Sequence, residues 1–250
     1  AHAPARGPGM TAAPPSWRRA GRIDPGRFER VRARPVRGWL ARSLDPALRA
    51  ELIEDPDRPL ERGEVLKDDR AARVVLVAGG DLVLKRFRYP DALRALRRAP
   101  RRSRARLAFL GALRLEAFGI EVPEPMGVLE RRRAGVGVSS WLLSRRVPGT
   151  DGARCLTDPL LDDGGRARLV DRLVDLVLAL QRARIVHGDL KATNFLVDAD
   201  RVSLLDLHAV GRAALPGSAA LGRDRRRFLR NLEPWPELRA RAAARLGEAP

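Results

Sequence analysis

Continuous apolar runs rich in β-branched residues mark the first part of the chain. The runs 73–77 and 81–85 are joined by an Ala-Gly-Gly tripeptide, and a Gly-Gly pair between two such runs is typical of a β-hairpin. Further strands are predicted at 64–67, 127–130 and 139–145. This part of the chain is therefore expected to form a β-rich layer.

One longer helix is predicted inside the β-rich part. Ser103 is suited to the N-cap, the apolar spacing continues to Phe118, and Gly119 then stops the helix. Its inward side is expected to carry Leu107, Leu110 and Leu113. Shorter helices are predicted at 91–98 and at 46–53, the latter with Asp45 as N-cap and Pro46 as first residue.

The second part of the chain opens with a strongly amphipathic helix at 165–182. Four leucines recur on one face at helical spacing: Leu169, Leu173, Leu176 and Leu180. A polar loop follows, and then two apolar runs, 195–197 and 202–207, with a turn between them. Residues 223–245 are predicted to be mostly helical.

This order of elements predicts an α+β fold with two lobes and a cleft between them. We expect a disordered tail rich in Pro and Arg at 1–26, a β-rich N-terminal lobe at 27–146 and a small helical C-terminal lobe at 147–250. The Val-Pro-Gly-Thr tract at 147–150 is the predicted break between the lobes.

Composition adds a strong positive charge. The formal net charge is +18, which attracts phosphate-rich or otherwise anionic partners without choosing among them. Almost all of the cations are Arg, and Lys occurs only at 67, 85 and 191. The single cysteine, Cys155, excludes an intrachain disulfide and a cysteine-based zinc site. No apolar run reaches the roughly 18 residues of a membrane span.

Five polar residues supply the groups that phosphoryl transfer requires: a cation on the nucleotide phosphates, oxygen ligands for Mg²⁺ and a carboxylate beside the acceptor hydroxyl. Lys85 ends an apolar strand and is expected to reach the α- and β-phosphates. Asp189 would orient the acceptor hydroxyl, and Lys191 would meet the transferred phosphate. Asn194 and Asp206 would hold Mg²⁺, because the hairpin between them brings them together. The alternative is that these residues only stabilise turns, as isolated Asp and Asn usually do.

Two segments carry a family resemblance. Residues 187–194 (HGDLKATN) resemble the catalytic loop of the protein-kinase superfamily, and residues 204–208 (LLDLH) resemble its metal-binding segment. With the Lys-Arg-Phe tract at 85–87, the Arg-rich run 102–106 and the tract 119–125, the chain looks like the bacterial lipopolysaccharide kinase family. Members of that family phosphorylate heptose or Kdo sugars of the lipopolysaccharide inner core.

The chain departs from the kinase pattern at several positions. No glycine-rich phosphate loop is present, and we expect Lys67 or Arg70 to take its place. Glu116 is either the acidic partner of Lys85 or an exposed helix charge. No Ala-Pro-Glu motif follows Asp206, which favours a small or glycan acceptor over a protein.

The resemblance implies a kinase that uses ATP and Mg²⁺ to phosphorylate a sugar hydroxyl of the lipopolysaccharide core. Other hypotheses are a RIO-like or small-molecule kinase of the same fold, and a nucleotide-binding pseudokinase that acts as a regulator. The expected partners are the core glycan or another anionic sugar, and an anionic membrane surface that would contact the arginines between 86 and 106. We expect a cytoplasmic protein with a peripheral position at the inner face of the cytoplasmic membrane. Nucleic-acid binding is not expected, because aromatic residues make up only 4% of the chain and no stacking motif is present.

Overall fold

A computed structural model of the chain describes residues 15–88, 102–133, 136–199 and 201–247. Within these residues, seven strands form one antiparallel sheet in the order β1-β2-β6-β7-β5-β4-β3. The strands are β1 (Phe28–Val31), β2 (Val36–Ala41), β3 (Glu64–Asp68), β4 (Ala72–Val77), β5 (Leu82–Phe87), β6 (Pro125–Arg133) and β7 (Val136–Arg145). The sheet confirms the expected β-rich N-terminal lobe.

The predicted hairpin is present as β4 and β5. Its turn is a short 3₁₀ segment, Ala78–Gly80, in which Gly79 takes a φ of 68°. Val74 pairs with Lys85 across the hairpin, and Lys85 pairs in turn with Leu142 of β7. Lys85 therefore lies on a central strand, so its backbone is fixed from both sides.

Strands β1 and β2 are absent from the sequence-based prediction, which treats residues 27–62 as mixed. Their burial patterns contain exposed positions between the buried ones, for example at Glu29 and Arg37, and the Arg-rich composition hides the alternation. The helix at 46–53 is confirmed as α2 (Pro46–Glu54), with the Asp45 carboxylate accepting a hydrogen bond from Leu48 N. A further helix, α3 (Asp57–Arg62), precedes β3.

Residues 15–26 are not a disordered tail. Helix α1 (Trp17–Ala20) begins at an N-cap formed by Ser16. The Trp17 ring lies 6.1 Å from the Phe118 ring, and the Arg114 guanidinium stacks over the indole at 4.7 Å. The Pro- and Arg-rich composition led to the wrong prediction here, because the contacts of the partly buried Trp17 with Phe118 and Arg114 anchor so short a helix. Residues 1–14 and the predicted helix at 91–98 lie outside the described residues.

Helix α4 (Arg104–Ala117) connects the two hydrophobic cores. Ser103 accepts a hydrogen bond from Arg106 N as predicted, and Gly119 follows the helix with a φ of 70°. Leu110 and Leu113 are buried, but Leu107 is 37% exposed, so its predicted inward position is wrong. Small residues, Ala105, Ala108 and Ala112, occupy much of the buried face instead.

The second part of the chain is mainly helical. It contains α5 (Gly152–Thr157), α6 (Asp163–Arg182), α7 (Ala219–Arg230) and α8 (Pro236–Leu246), together with the short strands β8 (Thr150–Asp151), β9 (Ile185–Val186), β10 (Phe195–Asp198), β11 (Arg201–Leu204) and β12 (Gly211–Arg212). The predicted amphipathic helix is α6, and the predicted apolar hairpin is β10 with β11. Strand β11 ends at Leu204, earlier than the apolar run suggested.

Two clusters of buried side chains form the cores. One packs the sheet against α4 and includes Phe28, Leu84, Phe87, Phe109 and Trp141; the other surrounds α6 and includes Leu173, Val177, Phe195, Phe228 and Leu246. The sheet ends at Arg145 and β8 begins at Thr150, so the predicted break at 147–150 falls between the cores, and we retain the domain limits as a proposal. None of the described helices has the length and apolar content needed to cross a bilayer.

Candidate active site

His187 connects the loop after β9 to the segment after β11. Its side chain is fully buried, and its Nε2 lies 2.9 Å from the carbonyl oxygen of Leu205. Burial lowers the pKa of the imidazole against the smaller opposing effect of this hydrogen bond, so the ring is neutral near pH 7. His187 therefore links the two segments by a buried hydrogen bond.

The carboxylate of Asp189 is surrounded by cationic and amide groups. Lys191 Nζ lies 2.9 Å from Oδ2, Arg227 Nη1 donates to Oδ1, and Asn194 Nδ2 donates to the Asp189 carbonyl oxygen at 2.7 Å. Partial burial would raise the pKa of Asp189, but the Lys191 and Arg227 cations outweigh it and the pKa lies below its usual value. Asp189 is therefore ionised at neutral pH.

Asp206 lies two residues beyond β11 in the left-handed backbone region, with φ 58° and ψ 51°. A non-glycine residue in this region costs about 1 kcal/mol or more, and such strain is concentrated at functional sites. Its Oδ1 is 2.9 Å from Lys85 Nζ and 3.0 Å from His208 Nδ1. Burial alone would raise the pKa of this carboxyl, but the contacts with His208 and Lys85 hold it well below its usual value.

The β10–β11 hairpin brings the two predicted metal ligands together, as expected from the sequence. Phe195 pairs with Leu204, and Leu205 N donates to the Asn194 carbonyl oxygen at 2.8 Å. The donor set, a carboxylate and a side-chain amide, offers the oxygen atoms that Mg²⁺ prefers. Among the residues that the structure describes, no group of three or more His, Cys, Asp or Glu could hold a metal. The pair therefore suits an ion that takes its other ligands from phosphate oxygens and water.

A cavity of about 420 Å³ lies between the sheet and this hairpin. Apolar side chains from both lobes line it together with charged and amide groups, among them the ion pair of Lys85 with Asp206; the lining includes Val74, Val83, Lys85, Leu142, Asn194, Leu196 and Asp206. An apolar pocket with a few convergent charged groups is the usual form of a nucleotide or other small-molecule site.

Lys67 lies on the wall of the same cavity, on the edge strand β3. Its ammonium is 2.9 Å from Asp69 Oδ2, and its side chain is 64% exposed. The hydrogen bond from Lys67, with backbone donors from Ala72 and Ala71, lowers the pKa of Asp69 to about 2. The structure thus places Lys67 at the mouth of the cavity, and its predicted contact with phosphate stays a prediction.

Glu116 does not pair with Lys85. Its carboxylate accepts from Arg27 Nη1 at 2.8 Å and from Nη2 at 3.3 Å. The described partner of Lys85 is Asp206 instead. Glu116 therefore ties the end of α4 to the residue before β1, and neither of the two alternatives considered from the sequence is correct.

Asp224 supports the loop that carries Asp189, and the sequence-based prediction did not include it. Its buried carboxylate accepts from His187 N at 2.6 Å and from Gly188 N at 3.1 Å. Burial raises the pKa of Asp224 despite these hydrogen bonds. A sequence signal existed, because Asp224 shares a helical face with Leu221 and Phe228 and interrupts a run of arginines.

Part of the chain is similar in sequence to part of a known protein. A protein of Methanospirillum hungatei JF-1, named a probable bifunctional tRNA threonylcarbamoyladenosine biosynthesis protein, is 28% identical over 139 residues. This match covers 53% of the chain but only 21% of that protein.

Two solved structures are also similar in shape. WaaP in complex with acyl carrier protein has a TM-score of 0.47 and 20% identity, covering 81% of this chain and 93% of that one. The PknI kinase domain of Mycobacterium tuberculosis (C20A mutant) has a TM-score of 0.44 and 17% identity, covering 66% and 68%.

The family comparison agrees with the segments that carry the resemblance. The family model described as "Lipopolysaccharide kinase (Kdo/WaaP) family" matches residues 95–244. That range contains α4, the loop with Asp189 and Asn194, and the segment with Asp206. Since the match extends over more than half of the sequence, the chain belongs to the lipopolysaccharide kinase (Kdo/WaaP) family.

Proposed function

We propose that this kinase transfers the γ-phosphate of ATP to a sugar hydroxyl of the lipopolysaccharide inner core, on heptose or Kdo. The observation that carries the proposal is that Lys85, Asn194 and Asp206 line one cavity, where Lys85 pairs with Asp206 and Asn194 is hydrogen-bonded to Asp189. These residues come from both lobes, and they supply the cation, the metal-ligating oxygen atoms and the carboxylate that phosphoryl transfer requires.

The adenine and ribose would occupy the apolar part of the cavity, and the phosphates its polar end. Lys85 would leave Asp206 and bind the α- and β-phosphate oxygens, because a phosphate oxygen can replace the carboxylate as its partner. Asn194 and Asp206 would hold Mg²⁺, which when bound neutralises the charge that develops on the phosphates. Lys67, at the mouth of the cavity, would contact the outer phosphates.

Asp189 would accept a hydrogen bond from the acceptor hydroxyl and take its proton as the new bond forms. The acceptor oxygen bonds to the γ-phosphorus, the bond from that phosphorus to the bridging oxygen breaks, and ADP leaves with the electron pair. Lys191, 2.9 Å from Asp189, would stabilise the negative charge on the transferred phosphoryl group.

The proposed partners follow from the same chemistry. The acceptor is an anionic core glycan, and the kinase works at the inner face of the cytoplasmic membrane. The arginines between 86 and 106 are proposed to contact the anionic lipid surface; four of these nine arginines lie outside the described residues.

Phosphate transfer to a panel of acceptors tests the proposal. Purified protein is incubated with Mg²⁺-ATP and either deacylated lipopolysaccharide core, a small neutral sugar or a general protein substrate, and the products are analysed by mass spectrometry. The proposal predicts phosphorylated core glycan with wild type and none with Asp189→Asn in the same time. Transfer only to protein would support a RIO-like kinase. Binding of Mg²⁺-ATP without transfer to any acceptor would support a pseudokinase.

A further inference from the structure

A second cavity opens beside the catalytic loop, on the side formed by α7 and α8. Its volume is about 660 Å³, and Val186 and Gly188 form one wall. Five arginines line it, and we call this cavity the arginine cleft: Arg223, Arg226, Arg227, Arg230 and Arg239.

The spacing of these arginines explains why they converge. Residues 223, 226, 227 and 230 are separated by three, four and seven positions, which places them on neighbouring turns along one side of α7. The opposite side of the helix, with Leu221 and Phe228, is buried in the core. Arg239 reaches the cleft from α8.

Little within the described chain compensates this charge. Asp224 is the one acidic residue in the described lining, and its carboxylate is already bound to backbone N–H groups of the catalytic loop. No described carboxylate lies within ion-pair distance of Arg223, Arg226 or Arg230. The Nε of Arg239 is buried without a hydrogen-bond partner in the same part of the chain.

The contrast with the neighbouring arginines of α8 is informative. Arg241 and Arg245 point to the other side of the helix and pair with Asp171, at 2.6 Å and 3.0 Å. Acidic partners are therefore available on the face of α8 that is turned toward α6, and the described lining of the cleft offers none that is not already bound. Like charges that converge in a concave space repel one another, and a bound anion removes this cost.

The cleft adjoins the reacting groups. Arg227 lines the cleft and also donates to a carboxylate oxygen of Asp189. Planar guanidinium groups bind phosphate and carboxylate with two parallel hydrogen bonds, so this lining fits those two groups in particular. The described lining contains no aromatic side chain on which a nucleic-acid base could stack.

We infer that the arginine cleft binds a phosphate or carboxylate group of the acceptor and so holds the neighbouring sugar hydroxyl beside Asp189. This inference rests on the proposed function, since it names the part of the acceptor that the kinase recognises. It makes an anionic substituent next to the phosphorylated sugar a requirement for tight binding.

Direct binding tests the cleft without any need for catalysis. The nucleotide site is first filled with Mg²⁺ and a non-hydrolysable ATP analogue, and glucose 6-phosphate or glucose is then titrated in by calorimetry. The test variant is Arg223→Gln/Arg230→Gln. The matched control is Arg168→Gln/Arg182→Gln, which removes the same charge from exposed positions of α6 away from the cleft.

We expect glucose 6-phosphate, and not glucose, to bind wild type and the control. The cleft variant should bind about tenfold more weakly or worse, because each lost charge-assisted hydrogen bond contributes that much. The affinity of Arg223→Lys/Arg230→Lys for glucose 6-phosphate should lie between those of wild type and the cleft variant. The lysines keep the positive charge but cannot form two parallel hydrogen bonds with the anion. Equal affinity in the cleft variant and the control, or an adventitious anion effect present in all variants alike, would overturn the inference. Circular dichroism of each variant checks that it is folded.

Kinetics and vesicle binding separate the remaining outcomes. With core glycan as acceptor, the cleft variant should raise KM by about tenfold or more with a much smaller change in kcat. An unchanged KM in an active enzyme would reject the cleft and leave the proposed function intact. If wild type phosphorylates no glycan but binds glucose 6-phosphate through the cleft, the proposed function fails and the anion site remains. Loss of binding to phosphatidylglycerol vesicles in the cleft variant, with glucose 6-phosphate affinity retained, would assign the cleft to the membrane and overturn the inference.

Discussion

At the scale of single residues, the environment of Asp189 fits a carboxylate that must stay ionised. Lys191 and Arg227 contact its two oxygens, and the amide of Asn194 fixes its backbone carbonyl. A carboxylate with a lowered pKa is a weak base, so its main contribution is to orient the acceptor hydroxyl and to receive the proton late in the transfer.

Replacing Asp189 with Asn tests this role with little change of shape. The amide oxygen can still accept a hydrogen bond from Lys191 or Arg227, but the amide NH2 group cannot, and the side chain no longer takes a proton. We expect kcat to fall by about 10²–10⁴, the usual contribution of a positioned acid–base group, with the Kd for Mg²⁺-ATP changed only slightly. Asp198→Asn, at the end of β10, is the control and should keep wild-type kcat. A kcat for Asp189→Asn within a few-fold of wild type would contradict the assigned role.

At the scale of elements, the contact between α4 and the segment after Asp206 links the two lobes. Gly111 lies on the buried face of α4, and a Cβ added there would be 2.6 Å from the Leu207 carbonyl oxygen. The helix can approach the Asp206 segment so closely only because this position lacks a side chain. The position of α4 therefore constrains Asp206.

Gly111→Ala should destabilise the protein and lower its activity. In an open helix, replacing Gly by Ala stabilises by about 1 kcal/mol. Here the substitution should lower the free energy of unfolding instead, because α4 must move away from Leu207 and disturb the neighbouring Asp206. Denaturant unfolding and the rate of phosphate transfer measure the two effects.

The control for this change is Gly164→Ala in the first turn of α6. A Cβ there would lie 3.4 Å from the flexible Arg168 guanidinium and 3.8 Å from the Asp162 carboxylate, which are ordinary contact distances. The free energy of unfolding of Gly164→Ala should equal that of wild type or be slightly higher. If both variants were equally stable and active, the close contact of α4 would have no role in holding Asp206.

Helix α8 is tied to α6 by ion pairs that depend on pH. Arg241 donates to both oxygens of Asp171, at 2.9 Å and 2.6 Å, and Arg245 adds a third contact. The hydrogen bond from Arg241 is the main cause that lowers the pKa of Asp171, against a partial opposing effect of burial. A carboxyl with a lowered folded-state pKa stabilises the fold above its unfolded pKa of about 4 and loses this contribution as the pH falls further.

Asp171→Asn should therefore be less stable than wild type at pH 7. The difference should shrink as the pH falls below about 4, because wild type then loses the same charge. Thermal unfolding over a series of pH values measures it, with the exposed Glu233→Gln as a control that should leave the pH dependence unchanged. A stability difference that stayed constant down to low pH would show that charge at Asp171 is not the cause.

At the scale of the whole molecule, local patterns predicted most of the architecture. The hairpin of β4 and β5, helix α6 and the hairpin of β10 and β11 have clear periodicity and turn residues, and the structure confirms them. Strands β1 and β2 and helix α1 have weak patterns of their own. They are stabilised by tertiary contacts, such as the Trp17–Phe118 and Phe28–Phe109 ring pairs, that no local pattern contains.

In the candidate site, too, some residues are predictable from local sequence patterns and others depend on tertiary contacts. Lys85, Asn194 and Asp206 could be found from the sequence because their spacing follows the kinase-like segments. The contacts of Asp224 with the catalytic loop and of Arg227 with Asp189 join positions 37 and 38 residues apart through packing of α7. The pairing of Glu116 with Arg27 spans 89 residues and depends on where β1 lies, so the prediction for Glu116 failed.

The central claim, that Lys85 and Asp206 form one phosphate- and metal-binding site with Asn194, is tested most directly at Asp206. The measurement is the rate of phosphate transfer from Mg²⁺-ATP to deacylated core glycan by wild type, Asp206→Ala and the control Asp198→Ala, each confirmed as folded by circular dichroism. The account predicts Mg²⁺-dependent transfer by wild type and Asp198→Ala, and loss of transfer in folded Asp206→Ala. Transfer by Asp206→Ala at the wild-type rate would contradict it.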